Sequence, residues 1–305
     1  MNFQRFTYKS VVVNILLIAL YLFWNSAIGA IRAEHYFLTI LWVTTFYANE
    51  NSRKFILGFS IFIIFWIVYD SMRIIPNYEV STVHIREPYE IEKALFGIKV
   101  LNNTITPNEY FIIWNNKFLD FISGFFYINW IPIPLAFGIY LFLKDKFLFA
   151  KFSMAFLLVN LVGFSIYYIY PAAPPWYIEL YGFDLHIGVP GNRAGLARFD
   201  DLIEYPLFEA IYNKNANVLA AIPSLHATYP LIVLYYGIKK RLTWINIIFV
   251  IFTLGIWFSA VYSGHHYIID VVLGVVVAVV VLISFEKILT IKYFDKLMQK
   301  FVNNI

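Results

Sequence analysis

The chain has 305 residues, of which 61% are hydrophobic and 14% charged. This composition lies far from that of an average soluble domain and predicts a membrane protein. The absence of cysteine excludes disulfide bonds and thiolate or cysteine–zinc chemistry. The formal net charge of +4 is spread between apolar runs and does not indicate a nucleic-acid partner.

Uncharged runs near the ~20 residues needed to cross a bilayer predict eight membrane spans. They lie at about 10–30, 35–49, 54–75, 119–143, 147–170, 221–238, 243–262 and 265–285, the second being short. The predicted fold is therefore all-α, a polytopic bundle of about eight transmembrane helices. The first run is long and lacks a small-residue cleavage site, so we expect no cleavable signal peptide.

The basic residues predict the orientation of these spans. With eight spans, one side of the membrane receives Arg5, Lys9, Arg53, Lys54, Lys144, Lys146, Lys239 to Arg241, and Lys287 to Lys300. The positive-inside rule makes that side the cytoplasm. The long segments 76–118 and 171–220 and the turn near Ser263 then share the non-cytoplasmic face. We expect an integral protein of a bacterial inner membrane or its equivalent, with its chemistry on that face.

Three of the six histidines lie in two short patches, Ala-Ile-Pro-Ser-Leu-His at 221–226 and Ser-Gly-His-His-Tyr-Ile-Ile-Asp at 263–270. If a helix starts near 262–264, His266 and Asp270 are four residues apart and share one helix face. The carboxylate can then fix the tautomer of the imidazole. The other ring nitrogen is left free to attack or to accept a proton.

The first patch predicts an anion site. Pro223 suits the first turn of a helix, where its missing N–H costs nothing. Ser224 and His226 then lie at a helix N-terminus, where free N–H groups and the macrodipole favour phosphate. Together the patches predict a phosphoryl-transfer site, with His226, His266 and Asp270 as catalytic residues and Ser224 at the phosphate.

This joint pattern resembles the type 2 phosphatidic acid phosphatase superfamily. Its second motif is Pro-Ser-x-His, and its third is Ser-Arg, five residues, His, three residues and Asp. Residues 223–226 match the second motif and 259–270 the third, with Ala260 in place of the arginine. The resemblance implies a six-helix lipid-phosphatase-type core. It divides the chain into N-terminal transmembrane helices (1–75), an interfacial segment (76–118), a catalytic membrane core (119–285) and a cytoplasmic tail (286–305).

Two further stretches resemble the branch that contains the inositol phosphorylceramide synthases. There a Pro-Pro-Trp-Tyr segment and an Ala-Gly-Leu-x-Arg-x-Asp segment precede the histidine motif, as they do here at 174–177 and 194–200. The resemblance covers about 165–275 and, more loosely, 69–73 with 92–97. The superfamily's usual first motif, a lysine six residues before Arg-Pro, is absent here and in that branch.

The branch implies that phosphoinositol passes from phosphatidylinositol to a ceramide, with His266 as nucleophile and His226 as acid and base. If water replaces the ceramide, the same machinery is a phosphatase acting on phosphatidic acid or a polyprenyl phosphate. The expected partners are therefore membrane lipids: phosphatidylinositol, ceramide or related lipid phosphates. The sequence carries no signal for an oligomeric state.

With Ala260 in the third motif, other cations must stabilise the anionic phosphodiester and its transition state. Arg198 and Arg193 are the candidates, with Arg73 behind them. The alternative is that these arginines pair with Asp200 and Asp201, or with lipid headgroups.

Tyr177 and His265 complete the predicted substrate-binding set. Tyr177 and its neighbour Trp176 suit an interfacial aromatic belt better than a substrate contact. His265 adjoins the predicted nucleophile, but on a helix it would point about 100° away from it. It is either a headgroup contact or a spectator.

We expect no metal and no cofactor, because histidines and arginines suffice and no dense carboxylate or Cys/His ligand cluster is present. A haem-binding bundle with His226 and His266 as axial ligands is a rival class, but it leaves Asp270 and the arginines without a role. A transporter is a third class, but paired Gly/Pro-broken helices are not visible.

Overall fold

A computed structural model describes residues 6–27, 31–214 and 217–305. The α-helices of this part are α1 Tyr8–Ala27, α2 Ala33–Ala48, α3 Glu50–Ser71, α4 Asn77–Val80, α5 Arg86–Phe96, α6 Pro107–Ile113, α7 Lys117–Tyr127, α8 Pro132–Lys144, α9 Lys146–Ile169, α10 Pro175–Tyr181, α11 Ala197–Ile203, α12 Leu207–Tyr212, α13 Leu225–Lys239, α14 Ile245–Tyr262, α15 Ile268–Ile288 and α16 Lys292–Val302. Two 3₁₀ turns, η1 Ile128–Trp130 and η2 Ala194–Leu196, and one antiparallel hairpin, β1 Ile98–Val100 with β2 Asn103–Ile105, complete it.

The predicted all-α polytopic fold is confirmed. Five helices of the described residues, α1, α3, α9, α14 and α15, are long and apolar enough to cross a membrane. A sixth span is formed if α7 and α8, bent by 42° at their junction, count together. The helices α2 and α13 match the two remaining predicted positions but have only 16 and 15 residues, so a total of eight spans stays a prediction. Residues 28–30 of the first predicted span, and Arg5, lie outside the described residues.

The centre of the bundle is α9, which packs against α3, α8, α13, α15 and α16. Its Phe149, Phe152 and Phe156 are buried and meet aromatic rings from α3 and α8. Lipid tails are as apolar as these rings, so the stabilisation comes from van der Waals packing between the helices. Aromatic packing around α9 therefore fixes the helices that carry the predicted chemistry.

Ion pairs join the helix ends on the side with the basic residues. Glu286 of α15 binds Lys239 at 2.6 Å and Lys151 at 3.2 Å, and Asp145 binds Lys240 at 2.7 Å. The predicted tail is helical, since α15 continues to Ile288 and α16 packs against α9. The starts of α13 and α15 and the end of α14 lie at the other end of the bundle, with both histidine patches.

The segment 76–118 forms α4, α5, the hairpin and α6, and it lies against this second end. Parallel bridges connect His84 to Ala172 and Ala172 to Ala220. They tie the segment to the chain that leads into α13. The region 171–220, where described, likewise forms short helices rather than an extended linker.

Gly274 lets α15 approach the start of α13. A Cβ atom at this position would lie 2.4 Å from the carbonyl oxygen of Ser224. We expect Gly274→Ala to cost about 1–3 kcal/mol, the usual range for overpacking, and to lower the melting temperature of detergent-purified protein. At Gly138 the nearest atom would be Phe152 at 3.5 Å, an ordinary contact, so Gly138→Ala is the matched control and should melt no lower than wild type. Equal melting temperatures for both variants would contradict the packing argument.

Candidate active site

His226 lies in the first turn of α13, next to the residue that caps this helix. The hydroxyl of Ser224 accepts the Ala227 N–H at 3.4 Å, which makes Ser224 the N-cap. Pro223 precedes the cap, so its predicted place in the first helical turn was wrong, because the serine hydroxyl satisfies the orphan N–H one residue later. Ser224 is fully buried, and its own N–H donates to the Asp270 carbonyl at 2.9 Å. Its side chain caps α13, and its predicted contact with phosphate stays a prediction.

His266 precedes α15, so the expected helix start near 262–264 was wrong. The chain first turns at Gly264, whose φ of +74° lies in the left-handed region that favours glycine. The His266 N–H donates to Ala260 at 3.0 Å, and the helix begins only at Ile268. The imidazole nevertheless reaches the predicted carboxylate, with Nδ1 at 3.4 Å from Oδ2 of Asp270.

A backbone carbonyl determines the tautomer of His266. Its Nδ1 lies 3.1 Å from the Ala221 carbonyl oxygen, closer than the carboxylate of Asp270. A carbonyl can only accept, so Nδ1 carries the proton and Nε2 holds the lone pair of the neutral ring. Burial lowers the pKa of His266 to about 4, and the Ala221 hydrogen bond acts in the opposite direction. His266 is therefore neutral at pH 7, with Nε2 available as a nucleophile.

The two predicted catalytic histidines touch. Nε2 of His266 lies 3.1 Å from Nδ1 of His226, and the Tyr127 hydroxyl lies 3.0 Å from the same nitrogen. Because His266 Nε2 has no proton, His226 Nδ1 is the donor between the rings. The Trp130 ring packs edge-on against His226 at 4.5 Å between centroids. The two imidazoles are therefore in direct contact.

Asp270 is fully buried at the third position of α15. Its Oδ2 accepts the Tyr267 N–H at 2.9 Å and faces His266. Its Oδ1 has no hydrogen-bond partner among the described residues. The carboxylate thus both caps the helix and borders the imidazole.

Of the three candidate arginines, Arg198 lies beside residues 263–267, the loop that joins α14 to α15. Its Nε donates to Asp120 at 2.6 Å, and the Tyr262 hydroxyl donates to the same carboxylate oxygen at 2.8 Å. Gly195 separates the guanidinium from the loop, since a Cβ there would lie 2.9 Å from Arg198 Nη2 and 3.0 Å from the Cα of Ser263. Nη2 is buried and, within the described chain, unpartnered. The N–H groups on Arg198 Nη2 are therefore available to bind an anion.

The other two arginines are held by carboxylates. Arg193 binds Asp200 at 3.0 Å and Glu209 at 3.4 Å. Arg73 binds Asp70 at 3.1 Å and also donates to the Lys214 carbonyl. These contacts match the ion-pair alternative more closely than the phosphate role, which stays a prediction for both.

Asp70 is the centre of a cluster of which the sequence predicts only the pair with Arg73, three residues away on one helix face. Besides Arg73, it binds Arg32 at 2.5 Å and the buried His35 at 3.1 Å. Their bonds to Asp70 link the start of α2 to the end of α3.

Tyr177 and Trp176 are buried inside the protein, whereas residues of an interfacial aromatic belt face the lipid headgroups, so the belt assignment was wrong. The Tyr177 hydroxyl donates to the Asp184 carbonyl at 3.1 Å and accepts the His186 N–H at 2.6 Å. It also borders a cavity of about 250 Å³ that Arg73 and Leu219 line. Tyr177 therefore orders the loop at this cavity.

His265 lies in the loop between α14 and α15, so the helical angle assumed for it does not apply. Its ring packs against Tyr212 at 4.4 Å and Tyr127 at 5.5 Å between centroids, and Nδ1 lies 2.9 Å from the Ser263 hydroxyl. Burial, followed by the neighbouring His266 and His226, holds its pKa well below the usual value. It is a neutral wall residue of the site.

Four residues around the site escaped the sequence analysis: Asp120, Tyr127, Glu92 and Asn108. Asp120 did carry a signal, because an acidic residue inside a predicted span is a functional candidate by default. Glu92 opens the stretch 92–97 that loosely resembles the branch, whereas Tyr127 and Asn108 act through contacts with distant parts of the chain and have no local signature. Among the described residues, no group of three or more His, Asp or Glu side chains could hold a metal ion.

Residues 109–284 match the family model of the PAP2 superfamily, and the chain belongs to that superfamily. The match contains both histidine patches, Arg198 and Asp120. No solved structure matches the chain.

Among its relatives is a phosphoinositol dihydroceramide synthase of Bacteroides thetaiotaomicron, 43% identical over 280 residues, which are 91% of this chain and 92% of that protein. An inositol phosphorylceramide synthase catalytic subunit of Saccharomyces cerevisiae is 32% identical over 131 residues, 40% of this chain and 31% of that protein. A Candida albicans inositol phosphorylceramide synthase is 30% identical over 155 residues, 49% of this chain and 32% of its own length. The predicted superfamily and branch are confirmed, as is the prediction of a membrane enzyme that transfers phosphoryl groups between lipids.

Arg198→Lys tests the guanidinium. A lysine ammonium is a compact charge that can bind Asp120 or a phosphate. It lacks the separate N–H edges with which a planar guanidinium can bind both at once. We expect kcat/KM for transfer from a labelled lipid phosphodiester to fall about 100-fold, equivalent to ~3 kcal/mol of lost transition-state stabilisation. Arg86→Lys, at an exposed position of α5, is the control and should behave as wild type. A wild-type rate for Arg198→Lys would remove Arg198 from the site.

Proposed function

We propose that this protein transfers phosphoinositol from phosphatidylinositol to the primary hydroxyl of a ceramide or dihydroceramide and releases diacylglycerol. The observation that carries the chemistry is the histidine pair, in which His266 presents a lone pair 3.1 Å from the proton-bearing nitrogen of His226. The choice of lipids is supported by the similarity to a phosphoinositol dihydroceramide synthase along 91% of the chain.

The first half-reaction forms a phosphohistidine. In this proposal, Nε2 of His266 attacks phosphorus, and the bond from phosphorus to the diacylglycerol oxygen breaks. His226, which becomes the imidazolium only beside the bound phosphodiester anion, gives its proton to the departing oxygen, so that diacylglycerol leaves neutral. Phosphoinositol stays on His266, whose positive charge is shared through Nδ1–H with the Ala221 carbonyl and Asp270.

The second half-reaction reverses the proton transfer. His226, now neutral, takes the proton of the ceramide primary hydroxyl while that oxygen attacks phosphorus. The phosphorus–nitrogen bond breaks, which returns the lone pair to His266 and the proton to His226. Arg198 stabilises the additional negative charge in both transition states through the guanidinium edge that Asp120 leaves free.

We also propose the membrane side on which this occurs. The ion-paired basic ends of α9, α13 and α15 lie on the predicted cytoplasmic side, and the histidines lie at the other helix ends. This supports an active site on the non-cytoplasmic face of an inner membrane or its equivalent. A lipid phosphate lies at that depth while its acyl chains remain in hydrocarbon, so the donor need not leave the bilayer.

Purified protein reconstituted with phosphatidylinositol and dihydroceramide should yield the phosphoinositol-ceramide product and diacylglycerol, measured by mass spectrometry. His266→Ala should abolish turnover while the protein remains folded, because it removes the covalent acceptor. A phosphorylated peptide from quenched wild type should carry the group on residue 266. Free phosphoinositol in place of the ceramide product would identify a lipid hydrolase, and a phosphohistidine elsewhere would overturn the nucleophile assignment.

Cysteine labelling tests the orientation, and the native chain has no cysteine to interfere. Asn102 is exposed in the turn of the hairpin. Lys144 is exposed at the C-terminus of α8, on the predicted cytoplasmic side. Asn102→Cys should react with a membrane-impermeant maleimide in intact cells, whereas Lys144→Cys should react only after permeabilisation. The reverse pattern would place the chemistry in the cytoplasm.

A further inference from the structure

The segment 76–118 places three buried polar side chains against the backbone around the histidines. Asn77 donates to the carbonyl groups of Tyr167 at 3.0 Å and Leu219 at 2.6 Å. Glu92 and Asn108 reach the loop that carries His266. Since buried polar groups are costly unless bonded, these contacts hold the segment and the site together.

Glu92 caps the helix that follows the predicted nucleophile. Its two carboxylate oxygens accept the N–H groups of Ile268 at 3.0 Å and Ile269 at 3.1 Å, the first two residues of α15. The residue is 0% exposed. Burial raises the pKa of its carboxyl to about 7, the two N–H bonds lower it, and nearby Asp270 raises it. Burial disfavours the charged form of Glu92. The free N–H groups at the start of α15, which the carboxylate accepts, offset this cost.

Asn108 binds the same loop from its other side. Its side-chain amide donates to the carbonyl oxygens of Val261 at 2.8 Å and His266 at 2.9 Å. One amide therefore joins the end of α14 to the backbone of the histidine itself. The position is 3% exposed and lies in the first turn of α6, whose N-cap is Thr106.

We infer that Glu92 and Asn108 are positioning residues for phosphoryl transfer, which hold the backbone on both sides of His266 so that its imidazole meets His226 and the phosphorus. The inference rests on the proposed function of His266 and names neither side chain as a participant in bond making. Their four bonds bracket residues 261–269. The other bonds of His266 in the described part of the chain are to the Ala260 and Ala221 carbonyls, to His226 and to Asp270.

The isosteric variant Glu92→Gln isolates this effect. A glutamine offers one acceptor oxygen and turns an amide N–H toward the second backbone N–H. Asn108→Ala removes both donors on the other side. A displacement near 1 Å can cost ~100-fold in rate, so we expect kcat of each variant to fall by about tenfold or more. The KM for phosphatidylinositol should stay within about twofold, because neither residue is proposed to bind the headgroup.

Hydrogen exchange of the lipid-free proteins, read by mass spectrometry, supplies a signal independent of turnover. Both variants should exchange faster in peptides that contain 263–270, with the rest of the bundle unchanged. The controls are Glu90→Gln, exposed on the same helix α5, and Asn102→Ala, exposed in the hairpin turn, and both should match wild type in rate and exchange. Glu92→Asp, which keeps both acceptors on a shorter side chain, should recover part of the loss.

Wild-type kcat in Glu92→Gln and Asn108→Ala would overturn the inference. So would slower turnover accompanied by faster exchange throughout the bundle, which is the signature of general destabilisation. If Glu92→Gln does not fold, Asn108→Ala decides, because its bonds reach the same loop from a different helix. If wild-type protein transfers no phosphoinositol, the proposed function fails, while the exchange data still report whether the two side chains order the loop.

Discussion

The first turns of α13 and α15 are bonded directly to each other, and the geometry of the site depends on this contact. The Ser224 N–H donates to the Asp270 carbonyl, and the Ala221 carbonyl accepts from His266, so each patch supplies a backbone partner to the other. Gly274 leaves room for this approach, because any side chain there would meet Ser224. The resulting 3.1 Å between the imidazoles is a property of two joined backbones rather than of two flexible side chains. Preorganisation of this kind is what a nucleophile and its proton donor require.

The charge arrangement follows from the same packing. Ala260 leaves the third motif without its usual arginine, and a guanidinium from α11 lies beside the loop instead, across Gly195 from Ser263. Asp120 and Tyr262 hold one edge of Arg198, which fixes its plane and leaves Nη2 free. A fixed cation is worth more in a dry site than a mobile one, since it needs no reorganisation when charge develops on the phosphate.

The sequence was sufficient to predict the helices and the proximity of His226, His266 and Asp270, because apolar run length and motif spacing are local properties. It was insufficient wherever a bond between distant segments decides the conformation. The helix α15 begins at Ile268 and not at the predicted 262–264. The turn at Gly264 and the bond from His266 to Ala260 keep the intervening residues out of the helix. Glu92 and Asn108 lie more than 150 positions from their partners, so no pattern near them could reveal their bonds. The candidate arginines show the same limit. Only the contacts in the folded protein distinguish Arg198, whose Nη2 has no partner in the described chain, from Arg193, which two carboxylates bind.

The exposure of the two imidazoles bears on the choice between water and a lipid alcohol. His266 and Asp270 are 5% and 0% exposed, and α5 and α6 cover their loop, whereas His226 is only partly buried. In the proposed mechanism, the acceptor therefore approaches from the side of His226, the residue that must remove its proton. That side is walled by the rings of Tyr127 and Trp130, which an acyl-chain-bearing alcohol can contact and which offer water few partners. In the proposed mechanism, an enclosure of this kind shields the phosphohistidine from water, which favours transfer to a hydroxyl that enters from the bilayer over hydrolysis.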